Sequence, residues 1–388
     1  MNQSIRYIGL CFLLFATISC RIDESYFGLN DQAEILTFNL PNQIGAAKID
    51  TATQRIVLDL PFGTDLQEIT PVSITTSSLS SLSPEEDISQ NFSDKVTYTV
   101  RAENGTEKQW EVTVNLVISE DGDQPTNSNF ESWYTDEYSS FFGKVEYQQI
   151  GVSKESDNFW CTPNEGSKRA GKAENNIPFQ KSDGPAVRLT TIDVSTVEGF
   201  PPIAAGSLYS GTFNYGSNLI PNPYELPTFG QPFTARPKGF SISYRYFPGT
   251  GKQYRGINGD KVLPVDDQAD AADLYVLLRN NDGNGNIQRI GTAWLRVIDK
   301  SFDPANNQVD EGWQTAQIEM IYGPNDQLPD YALPKASEYV SLNESGFFDD
   351  PQANPNEIVV VFSPSANGND FAGVIDSELN VANFKLIY

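Results

Sequence analysis

Short segments in which apolar and polar residues alternate recur along most of the chain. Two of the clearest are residues 96–100 (VTYTV) and residues 110–114 (WEVTV), and a period of two is typical of half-buried β-strands. Asn104 and Gly105 lie between them, and an Asn-Gly pair is the strongest short signal for a β-hairpin. No long segment has apolar residues at i, i+3, i+4 and i+7 between helix caps, so the pattern predicts an all-β fold.

The spacing of these segments predicts two β-domains of unequal size. Residues 34–117 contain five candidate strands with turns at regular spacing, which predicts a small immunoglobulin-like β-sandwich. Residues 119–127 (SEDGDQPTN) are acidic, contain glycine and proline and lack apolar side chains, so we expect a linker over residues 118–127. Residues 128–388 carry further strand signals, and we expect them to form one larger β-domain.

The N-terminal residues have the pattern of an export signal. An apolar stretch over residues 7–16 is too short to span a bilayer and fits the apolar region of a signal peptide. It ends in Thr17-Ile18-Ser19-Cys20, which resembles the bacterial lipobox. The resemblance implies a signal peptide over residues 1–19, lipidation of Cys20 and a tether over residues 20–33. We therefore expect an outer-membrane lipoprotein of the cell envelope, exposed at the surface as in Bacteroidetes lipoproteins with acidic residues after the cysteine.

Composition removes several classes of function. The chain contains no histidine, which excludes Ser-His-Asp and Cys-His nucleophiles and histidine-ligated metals. Its 51 acidic and 26 basic residues give a formal charge of -25, which disfavours nucleic acid and favours a neutral ligand over an anionic one. Of its three cysteines only Cys161 lies in the predicted folded part, so we expect no intramolecular disulfide and a buried, inert thiol.

The first domain resembles the immunoglobulin-like repeats at the start of many Bacteroidetes surface lipoproteins. The matching segments include residues 36–38 (LTF), 58–61 (LDLP), 63–66 (GTDL), and 98–100 (YTV) leading to 110–114. The resemblance implies a spacer, and no residue of this domain stands out as part of a binding site.

The larger domain resembles the putative carbohydrate metabolism domain family of Bacteroidetes lipoproteins. The matching segments include residues 129–134 (NFESWY), 159–166 (FWCTPNEG), 204–211 (AAGSLYSG), 230–237 (GQPFTARP) and 371–373 (FAG). The resemblance extends over nearly all of residues 129–388. It implies a jelly-roll-like β-sandwich and a role in glycan use, and some members are described as glycoside hydrolases.

Sugar recognition requires aromatic faces for the apolar side of a pyranose ring and amides or carboxylates for its hydroxyls. Trp160 and Asn164 lie in a loop that offers both, and they are our first candidates for carbohydrate binding. Tyr209 and Tyr254, in glycine-containing segments, are further candidates. We expect the remaining strand tryptophans to lie in the core, and these are Trp294 and Trp313.

Catalysis by glycoside hydrolysis is the main alternative, because two carboxyl groups about 5–10 Å apart suffice for it. Glu131 and Asp273, each at the start of an apolar and aromatic run, are the candidate pair. In related carbohydrate-binding jelly rolls, a Phe-Glu near the start and an Asp in the last strand bind calcium. Here Asn383 stands in the last strand. We therefore expect no cofactor and no metal ligands, with a structural calcium ion as the open alternative.

Asp282, Asn284 and Asn286 resemble a calcium loop, but Ala293 stands where an EF-hand needs glutamate, so a hairpin tip is favoured. The sequence as a whole predicts a lipid-anchored cell-envelope protein that binds an extracellular, neutral glycan for polysaccharide capture or utilisation. Its expected contacts are that glycan, the membrane through the anchor alone, and other surface glycan-uptake proteins, without nucleic acid. A glycoside hydrolase and a non-catalytic structural or adhesion lipoprotein are the alternatives.

Overall fold

The computed structural model describes residues 28–61, 64–117, 122–195, 200–216, 221–250, 270–306 and 308–388, and the backbone of residues 253–254. The predicted signal peptide and Cys20 lie outside these residues. Within the described part, no helix is both long enough and apolar enough to cross a membrane. The chain divides into two compact units, residues 1–117 and residues 118–388.

The first unit is built from β-strands, as the alternating pattern predicts. Its strands are β1 (Ile35–Asn39), β2 (Ile44–Asp50), β3 (Arg55–Pro61), β4 (Ser73–Thr76), β5 (Ser81–Ser83), β6 (Val96–Arg101) and β7 (Glu107–Val117). One sheet has the order β2-β3-β7-β6-β5, and β1 pairs with β4 in a second sheet. The predicted hairpin joins β6 to β7, with Gly105 at a positive φ of 90° that a residue without a side chain adopts readily. Trp110, Tyr98 and Phe38 are completely or almost completely buried between the sheets.

The second unit contains one short helix, α1 (Asn164–Arg169), and many strands within its described residues. The strands are β8 (Trp133–Ser140), β9 (Gly143–Ile150), β10 (Trp160–Cys161), β11 (Asn176–Lys181), β12 (Gly184–Thr190), β13 (Ile192–Asp193), β14 (Ile203–Ala204), β15 (Leu208–Phe213), β16 (Pro227–Phe229), β17 (Gln231–Pro232), β18 (Gly239–Phe247), β19 (Gln253–Tyr254), β20 (Ala272–Asn281), β21 (Ile287–Val297), β22 (Gln314–Glu319), β23 (Ile321–Tyr322), β24 (Gly346–Phe347), β25 (Glu357–Ser363), β26 (Gly373–Val374) and β27 (Glu378–Ile387). Single 3₁₀ turns occur at Pro223–Glu225, Asp330–Ala332, Val340–Leu342 and Gly368–Asp370.

Two sheets of the second unit pack face to face as a β-sandwich. A nine-stranded sheet has the central order β10-β15-β25-β20-β21-β23, and a five-stranded sheet has the order β11-β12-β27-β18-β22. Apolar side chains from both sheets meet in one core, among them Leu274 and Val276 of β20 and Phe384 of β27. The all-β fold class predicted from the sequence is confirmed for the described residues of both units.

The predicted linker is part of the second unit at its described end. The side chain of Gln124 donates to the carbonyl oxygen of Leu386 and accepts from its N–H, each at 2.8 Å. The hydroxyl of Tyr388 donates to the carbonyl oxygen of Asp123 at 2.6 Å. Residues 123–124 are therefore held against the last strand.

Both predictions made for the polar loop and the single thiol hold. Asp282 lies at the tip of the β20–β21 hairpin, where its carboxylate accepts from the N–H of Asn284 at 2.7 Å and of Asn286 at 3.1 Å.

Cys161 is a free, buried cysteine, and burial raises the pKa of its thiol to about 12. The thiol is consequently protonated and unreactive at neutral pH.

The nine-stranded sheet is covered on its outer face as well as on its core face. Tyr275 and Leu277 of β20 point away from the main core and pack in a second apolar cluster beneath segments that follow β23 and β25. Buried charges on the same face are paired. Arg289 forms two hydrogen bonds with Glu344, and both side chains are 3% exposed.

Replacing Glu344 with alanine would leave Arg289 buried without its anionic partner. Because an unpaired buried charge is costly, we expect the free energy of unfolding of the second unit to fall by about 3–5 kcal/mol. The double variant Arg289→Met, Glu344→Leu is expected to lose less, since it removes both charges. Urea unfolding followed by tryptophan fluorescence measures the difference.

The matched control is Lys300→Ala, which breaks the solvent-exposed pair of Lys300 with Asp303 at 3.3 Å. Exposed pairs contribute little, so this variant should unfold at the midpoint of the unmodified protein. A Glu344→Ala variant with that same midpoint would contradict the role assigned to the buried pair.

Candidate functional site

A cavity of about 310 Å³ opens over the outer face of the nine-stranded sheet. Its floor is formed by side chains of β20, β21 and β25, and its rim by residues 333–338 and 365–370. These strands place one row of side chains on the same face, because Tyr275 is the register partner of both Trp294 and Val361. The centre of the sheet thus supplies a rigid floor, and loops supply the rim.

An aromatic pair lies in the floor of the cavity. The rings of Tyr275 and Trp294 stack with centroids 4.0 Å apart and an angle of 22° between their planes. Tyr331 packs edge-on against Trp294 at 6.0 Å. Trp294 is partly exposed, and its buried Nε1 has no hydrogen-bond partner of normal geometry. This arrangement offers an aromatic surface of the kind on which the apolar side of a sugar ring packs.

Ion pairs fix the charged side chains of the floor. Nε and Nη2 of Arg296 donate to the two carboxylate oxygens of Asp273, each at 2.7 Å, and the guanidinium lies 3.9 Å from the ring centre of Tyr331. Burial raises the pKa of Asp273, and its bonds to Arg296 oppose that rise. Arg289 and Glu344 form a second pair in the same wall. Each of these two ion pairs is electrically neutral, so the four charged side chains together contribute no net charge to the floor.

Uncharged polar side chains lie on the rim. Ser337, Asn367 and Asn369 line the cavity, and Asn367 is solvent-exposed. Burial and the nearby charge of Asp273 raise the pKa of Tyr275, and the side chain of Asn369 opposes that rise. Hydroxyls and amides in such positions can both donate to and accept from the hydroxyls of a sugar.

A buried carboxylate anchors the loop that forms one side of the rim. Asp270 accepts hydrogen bonds from the N–H of Ala271 and of Val374, both at 2.9 Å. It also accepts from the hydroxyls of Ser365 at 2.5 Å and Ser377 at 2.9 Å. The three bonds from Ser365, Val374 and Ser377 connect the start of β20 to the segment that follows β25, so this segment is fixed from below.

A smaller cavity of about 110 Å³ lies on the same face, beside the larger one. Its walls come from β14, β15 and β16, from α1, and from the residues that follow the rim segment of the larger cavity. Its aromatic lining residues include Tyr209, Phe213, Phe229, Tyr339 and Phe371.

The role predicted for Trp160 is wrong. This side chain is 2% exposed and packs in the core among four phenylalanine rings at centroid distances of 4.9–5.7 Å, which are Phe130, Phe159, Phe362 and Phe384. Neither face of its indole is accessible to a sugar. The apolar run around residue 160 is a short strand of the nine-stranded sheet, with its tryptophan directed into the sandwich.

Asn164 is a structural bridge. Its side chain is completely buried, donates to the carbonyl oxygens of Gln148 and Asn176, each at 2.9 Å, and accepts from the N–H of Asn176 at 3.0 Å. Because these bonds use the amide nitrogen and the amide oxygen, Asn164 joins β9 to β11 and is not exposed to a ligand. The prediction that it contacts carbohydrate directly is therefore wrong as well.

Of the two tyrosines predicted to bind carbohydrate, the structure describes the side chain of Tyr209 but not that of Tyr254. Tyr209 is 2% exposed, its hydroxyl donates to the carbonyl oxygen of Thr212 at 3.3 Å, and its ring forms part of the wall of the smaller cavity. The side chain of Tyr254 lies outside the described residues. Its backbone pairs with Gly373.

Glu131 and Asp273 are not brought together. Glu131 is exposed, accepts from the side chain of Asn129 at 3.0 Å, and does not line the cavity of which Asp273 forms part of the floor. Among the described residues, no group of three or more Asp, Glu or Cys side chains is arranged to hold a metal ion. Because Glu131 and Asp273 lie apart, the hydrolase pair predicted from the sequence does not form.

Trp294 is the residue that sequence reasoning missed. It lies inside a strand, which favours a core position, but it is on the outer face of that strand and lines the larger cavity. The available signal was its alternation with the core residues Ala293 and Leu295. That alternation alone does not reveal what covers the outer face.

Two family models match the chain. One, described as "Putative carbohydrate metabolism domain", matches residues 129–387, and one described as "SGBP, N-terminal" matches residues 35–114. A comparison with curated protein sequences gives no match.

Two of the solved structures that match the chain come from Bacteroides species. A crystal structure of "a putative glycoside hydrolase" from Bacteroides thetaiotaomicron VPI-5482 is 22% identical, covers 92% of this chain and 97% of its own, and has a TM-score of 0.44. A structure described in the same words, from Bacteroides vulgatus ATCC 8482, is 21% identical, covers 67% of this chain and 96% of its own, and has a TM-score of 0.47.

The family matches agree with the resemblances found in the sequence. The N-terminal match falls on the all-β first unit and is to a surface glycan-binding family. The match to the putative carbohydrate metabolism domain, over residues 129–387, covers more than half of the 388 residues and contains every residue described for the two cavities. The chain belongs to the putative carbohydrate metabolism domain family.

Proposed function

We propose that this protein is a lipid-anchored component of the cell envelope that binds a neutral glycan in the larger cavity of its second unit. The observation that carries the proposal is the stacked pair of Tyr275 and Trp294 in the cavity floor. The rim above it holds the uncharged polar side chains of Ser337, Asn367 and Asn369 together with charged ones. Membership of a carbohydrate-related family supports the same class of ligand.

Binding would combine stacking with hydrogen bonding. The partly exposed Trp294 would contact the apolar face of a pyranose ring. Asn367, Asn369 and Ser337 would bind the outward hydroxyls. Because the ion pairs hold the floor in place before binding, little conformational entropy would be lost on association.

Charge supports a neutral ligand. Four acidic and three basic residues line the cavity, and the buried ones are paired with one another. The chain as a whole carries a formal charge of -25. An anionic glycan would therefore meet no uncompensated positive surface in the floor and would be repelled at longer range.

Placement at the cell surface is the second part of the proposal. Cys20 would carry the lipid after removal of residues 1–19, and the first unit would act as a spacer that carries the second unit away from the membrane. The extracellular side of the outer membrane is the location that suits capture of polysaccharide. Other surface glycan-uptake proteins would then receive the captured chain.

The floor geometry favours binding over hydrolysis. Asp273 and Glu344 each bond through both carboxylate oxygens to an arginine, which fixes their orientation and disfavours a catalytic role for either. The lining residues Glu338 and Asp370 stand on the rim loops rather than in the floor.

Replacing Trp294 with alanine should weaken glycan binding at least tenfold. The loss of about 1.4 kcal/mol that this represents is within the range of one stacked aromatic contact with its buried area. A glycan array identifies a ligand, and calorimetry with that ligand measures the dissociation constants. Trp294→Phe keeps an aromatic face and should lose less.

Trp313→Ala is the matched control, because Trp313 is also partly exposed but packs on Phe179, beside the five-stranded sheet. It should bind like the unmodified protein. Equal affinity of Trp294→Ala and Trp313→Ala, with both folded, would exclude the proposed aromatic floor.

A protein that only binds should not cut its ligand. We expect no reducing ends to appear when the glycan found on the array is incubated with the protein, because the two floor carboxylates are held in ion pairs. Release of reducing sugar that disappears in Asp273→Asn would establish the hydrolase in place of the binding protein.

Lipidation is tested by Cys20→Ser. In the native host, the unmodified protein should enter the detergent phase on Triton X-114 partitioning and Cys20→Ser the aqueous phase, because acyl chains supply the membrane affinity. Cys11→Ser, within the predicted signal peptide, is the matched control and should partition like the unmodified protein. Detergent-phase recovery of Cys20→Ser would refute the anchor.

A further inference from the structure

The smaller cavity has a chemistry opposite to that of the larger one. Its lining contains no charged residue within the described part of the chain. Aromatic rings pack against one another around it, with Tyr209 and Phe229 at a centroid distance of 4.7 Å and Phe229 and Tyr339 at 5.6 Å. Burial raises the pKa of Tyr209 and of Tyr339, so both phenols are neutral at physiological pH.

The two cavities adjoin one another. Tyr209, which lines the smaller one, is the register partner of Val361, which lines the larger one. Ser207 lines the smaller cavity and Ser363 the larger one, and the hydroxyl of Ser207 donates to that of Ser363 at 3.1 Å. Asn369 lines both cavities. The lining of the larger cavity is therefore directly adjacent to the lining of the smaller, apolar cavity.

We infer that the smaller cavity accepts a short acyl substituent, such as an O-acetyl ester, carried by the glycan in the larger cavity. This inference rests on the function proposed above and specifies its substrate class as an acylated glycan. A bare sugar ring does not suit the smaller cavity, because its hydroxyls would lose hydrogen bonds with water among aromatic walls.

Size restricts the substituent to a small one. An apolar cavity of about 150 Å³ is known to hold benzene, which has six carbon atoms. The volume of about 110 Å³ found here is smaller and suits a group of roughly four non-hydrogen atoms. An acetyl group has three. Its methyl would face the rings, and the amide of Asn369, at the boundary of the two cavities, would meet its carbonyl oxygen.

The test compares acetylated glucomannan and acetylated xylan, printed on one array with the rest of a plant and microbial glycan panel, each beside its alkali-deacetylated form. We expect the unmodified full-length protein to bind an acetylated form about five- to tenfold more tightly than its deacetylated counterpart, the gain from burying one methyl-bearing group. Ala204→Leu, which fills the smaller cavity, should remove that difference.

Ala316→Leu is the matched control, since Ala316 is half-buried in a strand of the other sheet and lines neither cavity. It should keep the preference. Phe213→Ala enlarges the smaller cavity and provides a second readout if Ala204→Leu does not fold. This variant should bind propionylated glucomannan as tightly as the unmodified protein binds the acetylated form.

The outcomes separate this inference from the function on which it rests. Equal binding of acetylated and deacetylated forms by the unmodified protein would overturn the acyl site and leave glycan binding in place. Folded protein that binds neither form of any glycan on the array would overturn both. A preference that persists in Ala204→Leu and does not extend to propionyl esters in Phe213→Ala would likewise overturn the acyl site.

Discussion

The burial of strand β20 from both sides is the constraint on which the second unit depends. This strand lies in the middle of the nine-stranded sheet, and its sequence alternates leucine and valine on the core face with Asp273, Tyr275, Leu277 and Arg279 on the other. Charged residues at the centre of a covered sheet must be paired, because an isolated buried charge is prohibitively unfavourable. Arg296 and Glu357, on the two neighbouring strands, supply the partners.

The loops that cover this face create the site and at the same time depend on it. Arg279 donates to the carbonyl oxygen of Ser341 at 2.6 Å, and Arg289 binds Glu344, so both arginines hold the segment that follows β23. Asp270 holds the opposite rim. Where the two segments do not meet, the polar and the apolar cavity remain open side by side, over a floor that the hydrogen bonds of the sheet keep rigid.

Much of the fold is readable from local pattern. Alternation in residues 96–100 and 110–114 predicts strands that the structure contains within β6 and β7, and Asn104-Gly105 predicts their hairpin. The candidate site is not readable in the same way. Trp160 and Asn164, adjacent to a loop, have the composition of a sugar site, yet both are buried. Trp294 has the pattern of a core residue, yet it lines the cavity. Alternation identifies two faces of a strand, but it does not state which face is covered and by what.

The sequence by itself determined the all-β class, the family, the position of the single folded-domain thiol, and the exclusion of histidine chemistry, because these follow from composition and from neighbours along the chain. Only the tertiary structure decided which aromatic residues are accessible and which carboxylates are held by arginine. Those properties arise where β15, β25, β20 and β21 lie side by side and distant loops close over them, with contacts such as Ser207 to Ser363 that join residues far apart in the chain. Such contacts leave no local periodicity for the sequence to display.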